Sequence, residues 1–200
     1  MNLYRKPPIG DNLMKKRISQ LVTSANYDEN VLNTILATYD YMRCANQTGL
    51  SGGCHALSSV LYVAFSELGL HPELFVGECQ KPGDKPFDHS WIAIDGKILD
   101  IAVYMPLQGM IGSVTGPVIF DIDALTMKTV ETAYGINTGL PMSDQTVFAI
   151  ETPFSEYMSN FPYELGGLWT LVKKVTPAGL NLDIQKLHRK YSTTTRNFLR

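Results

Sequence analysis

Two hundred residues, 44% of them hydrophobic, 18% charged and with a formal net charge of -2, suit one soluble globular domain with a sizeable core. The charge is uneven: Ile18 to Val172 carries 5 basic against 17 acidic residues, whereas both flanks are basic, with Lys15, Lys16 and Arg17 at one end and Lys186, Arg189, Lys190 and Arg196 at the other. An acidic body repels phosphate backbones and argues against nucleic acid in the main cleft, and no apolar run approaches membrane-spanning length.

Met1 to Lys16 has no continuous apolar segment, so no secretory signal is expected, and Lys6-Pro7-Pro8 is a stiff lead-in. Asn12 to Val22 places Leu13, Ile18, Leu21 and Val22 at the spacing of a short amphipathic helix. Asp28 to Asn46 repeats that pattern more strongly, with Val31, Leu32, Ile35, Leu36, Tyr39 and Met42 on one face and Asp28 or Asn30 as cap. Ser51-Gly52-Gly53-Cys54 then opens a third helix, on which Leu57, Leu61, Ala64, Phe65 and Leu68 recur at helical spacing until Gly69 stops it. A thiol in that first turn faces unpaired backbone N–H groups and the positive end of the helix dipole, both of which favour thiolate. The glycines before it leave room for backbone or substrate.

Beyond Gly69 the period changes. Leu74 to Cys79 reads as a strand and Gln80 to Phe87 as an exposed loop. Asp95-Gly96 between two apolar runs predicts a two-residue hairpin turn, which fixes the register: Ile94 opposes Lys97, Ala93 opposes Ile98, Trp91 opposes Asp100 and His89 opposes Ala102. His89, Trp91, Ala93, Ile98, Asp100 and Ala102 then share one face, while Ser90, Ile92, Ile94, Leu99 and Ile101 share the more apolar one. His89 and Asp100 become diagonal neighbours roughly 7 Å apart, near enough for a carboxylate to hold an imidazole. Further on, Gly109 to Gly116 reads as flexible, Val118 to Ile122 as a strand, Ala124 to Ala133 as a short helix, Thr146 to Glu151 as a strand and Pro153 to Asn160 as a helical turn. Leu180, Ile184, Leu187 and Tyr191 predict a modest amphipathic helix. No internal boundary is evident, so residues 1–200 read as one domain, with a catalytic core at about 28–104, a variable region from Gly109 to Met142 and a basic appendage at 173–200.

Thiol, imidazole and carboxylate are the parts of a Cys-His-Asp triad. Cys54 would attack a carbonyl carbon, His89 would move protons, Asp100 would fix the His89 tautomer, and the Cys54 backbone N–H would supply half of an oxyanion hole. Gly53-x-Cys54-x-x-x-Ser58, then Gly69-Leu70-His71-Pro72 leading into Val76-Gly77, then His89-Ser90-Trp91 and Asp95-Gly96-Lys97 leading to Asp100, resembles the core of the transglutaminase-like superfamily. The resemblance covers roughly Leu50 to Val103. It implies an α+β fold with a papain-like core, N-terminal helices packed on an antiparallel sheet, and catalytic positions at Cys54, His89 and Asp100. It also implies a cysteine peptidase, amide hydrolase, deamidase or cross-linking enzyme acting on a peptide or protein through a thioester, with no cofactor. Ser51-Gly52-Gly53-Cys54 is similar too to the arylamine N-acetyltransferases, although serine stands where they carry arginine. A catalytically inactive binding module on the same fold is the third reading.

The second oxyanion donor would be Gln47, seven residues before Cys54, and Trp91 would roof the pocket or pack the hairpin. His55 points about 100° from Cys54 on a helix and reads as packing or surface, His71 as exposed, and His188 as part of the tail helix. Asp121 and Asp123 lack the further ligands of a cation site, and Cys44, Cys54, Cys79, His55 and His89 have no zinc-ligand spacing. Three sparse cysteines suit a reducing, cytoplasmic setting. The basic ends would touch an acidic partner or fold onto the body.

Overall fold

The computed structural model describes residues 9–47, 53–104 and 115–199. The expected lead-in Lys6-Pro7-Pro8, the pair Ser51-Gly52 and most of the stretch from Gly109 to Gly116 lie outside them. Three helices come first: α1 (Asp11–Ser24), α2 (Glu29–Gln47) and α3 (Cys54–Glu67). Asp28 caps α2 by accepting the Val31 N–H at 3.0 Å, and Met14, Ile18 and Val22 bury the inner stripe of α1. α3 is buried almost throughout, as its unbroken run of small and apolar residues requires.

The sheet follows: β1 (Glu73–Gln80), β2 (Phe87–Ile94), β3 (Lys97–Asp100), β4 (Val118–Ile119), β5 (Ile122–Asp123), β6 (Lys128–Thr129) and β7 (Ala133–Ile136), with β8 (Asn197–Leu199) close to the C-terminus. Its order is β6-β5-β4-β3-β2-β1-β7, antiparallel along that path, and β8 lies parallel to β1. The fold is therefore α+β. The β2–β3 turn places Asp95 at φ 52° and Gly96 at φ 74°, which gives Ile94↔Lys97, Ala93↔Ile98 and Ile92↔Leu99 as that turn demands. Leu74, Ile92, Ile94, Leu99 and Ile119 belong to the core, where α3 packs on β1 and β2 and α1 on β4.

Four further helices complete the described chain: α4 (Asp144–Glu151), α5 (Phe154–Ser159), α6 (Leu168–Val175) and α7 (Ile184–Lys190). Several expectations change here. The hairpin stops at Asp100, where the chain turns, so Ala102 has no strand position opposite His89. Val118 to Ile122 is not one strand: Phe120 and Asp121 both take positive φ and fold it into the β4–β5 hairpin. Residues 124–133 form turns and the short β6 rather than a helix. Thr146 to Glu151 is helical, because Ser143 caps α4 through the Thr146 N–H and turns Thr146 and Ala149 inward. The loop after β1 is not wholly exposed, since Lys81 is buried.

The C-terminal segment 173–200 is tied into the body rather than appended to it. Val175, Leu187 and Tyr191 belong to the core, and the Tyr191 hydroxyl donates to Glu67 at 2.7 Å. The basic flanks also fold onto the acidic body: Lys15 pairs with Asp40, Lys174 with Glu164 and Lys190 with Glu67. Such exposed pairs are each worth under about 1 kcal/mol, so apolar burial rather than charge holds these ends.

Candidate active site

Cys54 opens α3 and is 8% exposed, while Gly53 before it accepts the Leu57 N–H at 2.9 Å through its carbonyl. Gly53 sits at φ -74°, and a Cβ there would meet only ordinary contacts with Met42 and Leu57, so its backbone does not demand glycine. His55, next to Cys54, meets the Ser90 hydroxyl beside His89 on β2, and the Cys54 sulfur is one of the groups that raise the His89 pKa.

His89 Nε2 lies 2.7 Å from Asp100 Oδ2, which leaves Nδ1 as the nitrogen free for the thiol. Asp100 is anchored at both oxygens. Oδ2 also accepts the Tyr134 hydroxyl at 2.9 Å, and Oδ1 accepts the Ala102 and Val103 N–H groups at 2.9 and 3.0 Å. These last bonds come from the turn that ends the hairpin, so the irregularity that displaced Ala102 from its expected place orients the carboxylate. Burial of His89 opposes its charged form, but the charges of Asp100 and Cys54 outweigh it and raise the imidazole to about 10. The result is a buried imidazolium between a carboxylate and a sulfur.

Trp91 shares the His89 face. It stacks on Phe75 at 5.6 Å and meets Tyr134 edge-on at 5.0 Å, so it is a buried part of an aromatic wall. Gly77, opposite His89 on β1, cannot carry a side chain: a Cβ would come within 2.3 Å of the Leu199 carbonyl oxygen on β8. The Gln47 backbone closes α2, and its side chain lies outside the described part of the structure.

The other histidines separate cleanly. His55 is buried, with Nδ1 at 2.6 Å from Ser90 Oγ and Nε2 at 3.2 Å from Thr146 Oγ1, so it joins α3 to β2 and α4. His71 and His188 are exposed. Asp121 spends Oδ1 on the Ile98 N–H and Asp123 on the Gly116 and Leu125 N–H groups, so both serve as backbone caps. Among the described residues no cluster of histidine, cysteine and carboxylate side chains is arranged to hold a metal ion. Cys44 is exposed, and burial pushes the Cys79 thiol up.

Sequence reasoning did not identify two residues at the site. Tyr134 reaches Asp100 from β7, which joins the sheet only through non-local pairing with β1. Lys81 is buried with its ammonium under the influence of Asp100, Asp84 and Asp123; burial lowers its pKa more than these carboxylates raise it. A lysine at the exit of a strand gave no sequence signal of its own.

No protein-family model, curated protein or solved structure matches this chain. The functional reading therefore rests on the chemistry of the site.

Proposed function

We propose that this protein is a thiol-dependent acyl-transfer enzyme, most simply a cysteine peptidase or amide hydrolase, built on a transglutaminase-like, papain-like core. The observation that carries the reading is the His89–Asp100 pair, its carboxylate held by four donors and its imidazole charge raised by Asp100 and by Cys54 at the start of α3.

In the first half-reaction the Cys54 sulfur attacks the carbonyl carbon of an amide or ester in a peptide or protein. The developing oxyanion faces the backbone N–H groups at the α3 N-terminus. His89 passes its proton to the leaving amine or alkoxide, and a thioester remains on Cys54. In the second half, His89 takes a proton from water, the resulting hydroxide attacks the thioester carbonyl, and Cys54 leaves as thiolate. An amine in place of water would give cross-linking or acyl transfer by the same steps. Asp100 keeps the His89 ring oriented throughout and stabilises it whenever it carries the proton. A reactive free thiol calls for a reducing, cytoplasmic setting.

Alkylation with iodoacetamide, mapped by mass spectrometry across pH, tests the reading. Cys54 should label selectively at neutral pH, faster than exposed Cys44, and His89→Ala should abolish that selectivity. Labelling of Cys54 no faster than that of Cys44 across the pH range would leave only a binding module on this scaffold.

A further inference from the structure

One edge of β1 is paired with β2 along its length, and the other is shared between two strands. β7 takes Glu78, Cys79 and Gln80, with a register shift between Glu78 and Cys79, and β8 takes Phe75, Val76 and Gly77. β8 comes from the far end of the chain and runs parallel to β1, whereas the neighbouring pairs are antiparallel. All three of its residues are exposed, Phe198 at 45% and Leu199 at 39%. A terminal strand with no buried side chain is held by its backbone ladder rather than by apolar burial.

Two glycines are fitted to Leu199. A Cβ on Gly77 would overlap the Leu199 carbonyl oxygen, although Gly77 has no positive φ that would itself call for glycine. A Cβ on Gly135, whose φ of 69° favours glycine as well, would crowd Leu199 Cδ1 and Cβ at 3.1 and 3.3 Å. Gly77 opposes His89 and Phe75 opposes Trp91, so positions 75 and 77 of β1 project on the face that carries His89. Trp91 Cη2 accordingly lies 3.4 Å from the place of a Gly77 Cβ. The Leu199 carbonyl therefore lies over the His89 and Trp91 face. Because β7 occupies the edge from Glu78 onward, a strand on Phe75–Gly77 has to leave the ladder at that point.

Building on the acyl-transfer reading, we infer that the β1 edge at Phe75–Gly77 is where an extended peptide substrate docks by strand addition, and that β8 is the chain's own segment resting in that place. An open strand edge recruits an extended peptide through its backbone groups, and alternate side chains supply the choice of sequence. The residue aligned with Gly77 carries an aliphatic side chain, as Leu199 does, because Gly135 leaves bare backbone for it to lie on. The residue aligned with Val76 is less constrained, since Phe198 is half-exposed there. A tethered strand has a high local concentration, so a peptide in solution takes the edge only where β8 has lifted off.

Hydrogen exchange on the full chain tests whether β8 lifts off. The amides of residues 197–199 should exchange about 100-fold faster than those of the β1–β2 pairing, and equal protection would make β8 a fixed strand and overturn the inference. Docking is read by the anisotropy of a fluorescein-labelled peptide that copies residues 194–200. Phe198→Pro and Leu199→Pro together take β8 out of the ladder without touching a buried residue. This full-length variant should bind the peptide about tenfold tighter than the unaltered chain, whose own strand competes. Adding Gly77→Ala should abolish the binding, and Leu199→Asp in the peptide should weaken it about tenfold. The exchange measurement stands whether or not the proline variant folds. No binding to a folded proline variant, with Cys54 of the unaltered chain still labelled selectively by iodoacetamide, would refute the docking edge and leave the acyl-transfer reading standing. Binding as expected with Cys54 inert would overturn the acyl-transfer reading and leave a peptide-binding edge.

Discussion

His55 and His89 are buried to nearly the same degree, at 7% and 4% exposure, yet they hold opposite charge states. His55 contacts two hydroxyls, Ser90 and Thr146, and burial, followed by the nearby positive charges of His89 and Arg196, drives its pKa down to about 3. His89 suffers the same desolvation, but Asp100 and Cys54 reverse its effect and lift it to about 10. Burial therefore does not decide what an imidazole is in this protein; its partners do. One ring is a neutral strut between helix and sheet, and the other is a positively charged ring held by a carboxylate.

The largest expected effect comes from erasing that difference. Asp100→Asn keeps the shape of the side chain but removes the charge that holds His89 protonated, so the imidazole becomes neutral. Alkylation of Cys54 at pH 6 should fall about 100-fold, because the ring no longer offers the sulfur a positive partner. Stability should fall as well, by about 3–5 kcal/mol in chemical denaturation, because one partner of a buried pair is lost. Unchanged alkylation would mean that Asp100 does not set the charge of His89.

His55→Ala should act the other way round. It leaves a cavity and takes away the partner of the Ser90 hydroxyl, at a cost of roughly 2–4 kcal/mol. The rate of Cys54 alkylation should scarcely change, since a neutral ring is being removed. A loss of labelling as large as that in His89→Ala would break the distinction between the two rings.

The two rings also predict opposite limbs in a plot of stability against pH. His55 is neutral when folded and has an ordinary pKa when unfolded, so between about 6.5 and 3 the unfolded chain binds more protons and stability falls as the solution is acidified. His89 has a raised folded pKa, so its contribution is complete below about 6.5 and is lost as pH rises through about 10. Each limb has a slope of at most about 1.4 kcal/mol per pH unit. His55→Ala should flatten the acid limb and His89→Ala the alkaline one; an exchange of these outcomes would reverse the assignment.

The parts of this comparison were unequally visible in the sequence. The Asp95-Gly96 turn sets the register by local chemistry, and counting back along it places His89 and Asp100 on one face before any tertiary contact is known. The Cys54 helix is equally local, because its apolar spacing and Gly69 mark both ends. Thr146 to Ile150 misleads because its β-branched and aromatic residues suit a strand, yet the Ser143 cap and the burial of Thr146 and Ala149 make it helical. Phe120 gives no warning of a left-handed turn, since aromatic residues rarely adopt one. Tyr134 lies far along the chain and reaches Asp100 through β7, whose pairing with β1 no local pattern announces.

The smallest effect sharpens the account of how Asp100 is held. Tyr134→Phe removes one of four donors to the carboxylate but keeps the ring that packs against Trp91 at 5.0 Å. The loss should be about 1 kcal/mol in chemical denaturation, the usual net worth of one hydrogen bond, with Cys54 alkylation changed by less than a few-fold. The reason is geometric: the Ala102 and Val103 N–H groups come from the turn that Asp100 itself begins, so the carboxylate stays oriented without help from β7. If Tyr134→Phe instead cost as much alkylation as Asp100→Asn, the orienting force would have to come from the far strand. The charged ring would then depend on long-range packing, as the strut does, and not on the local turn.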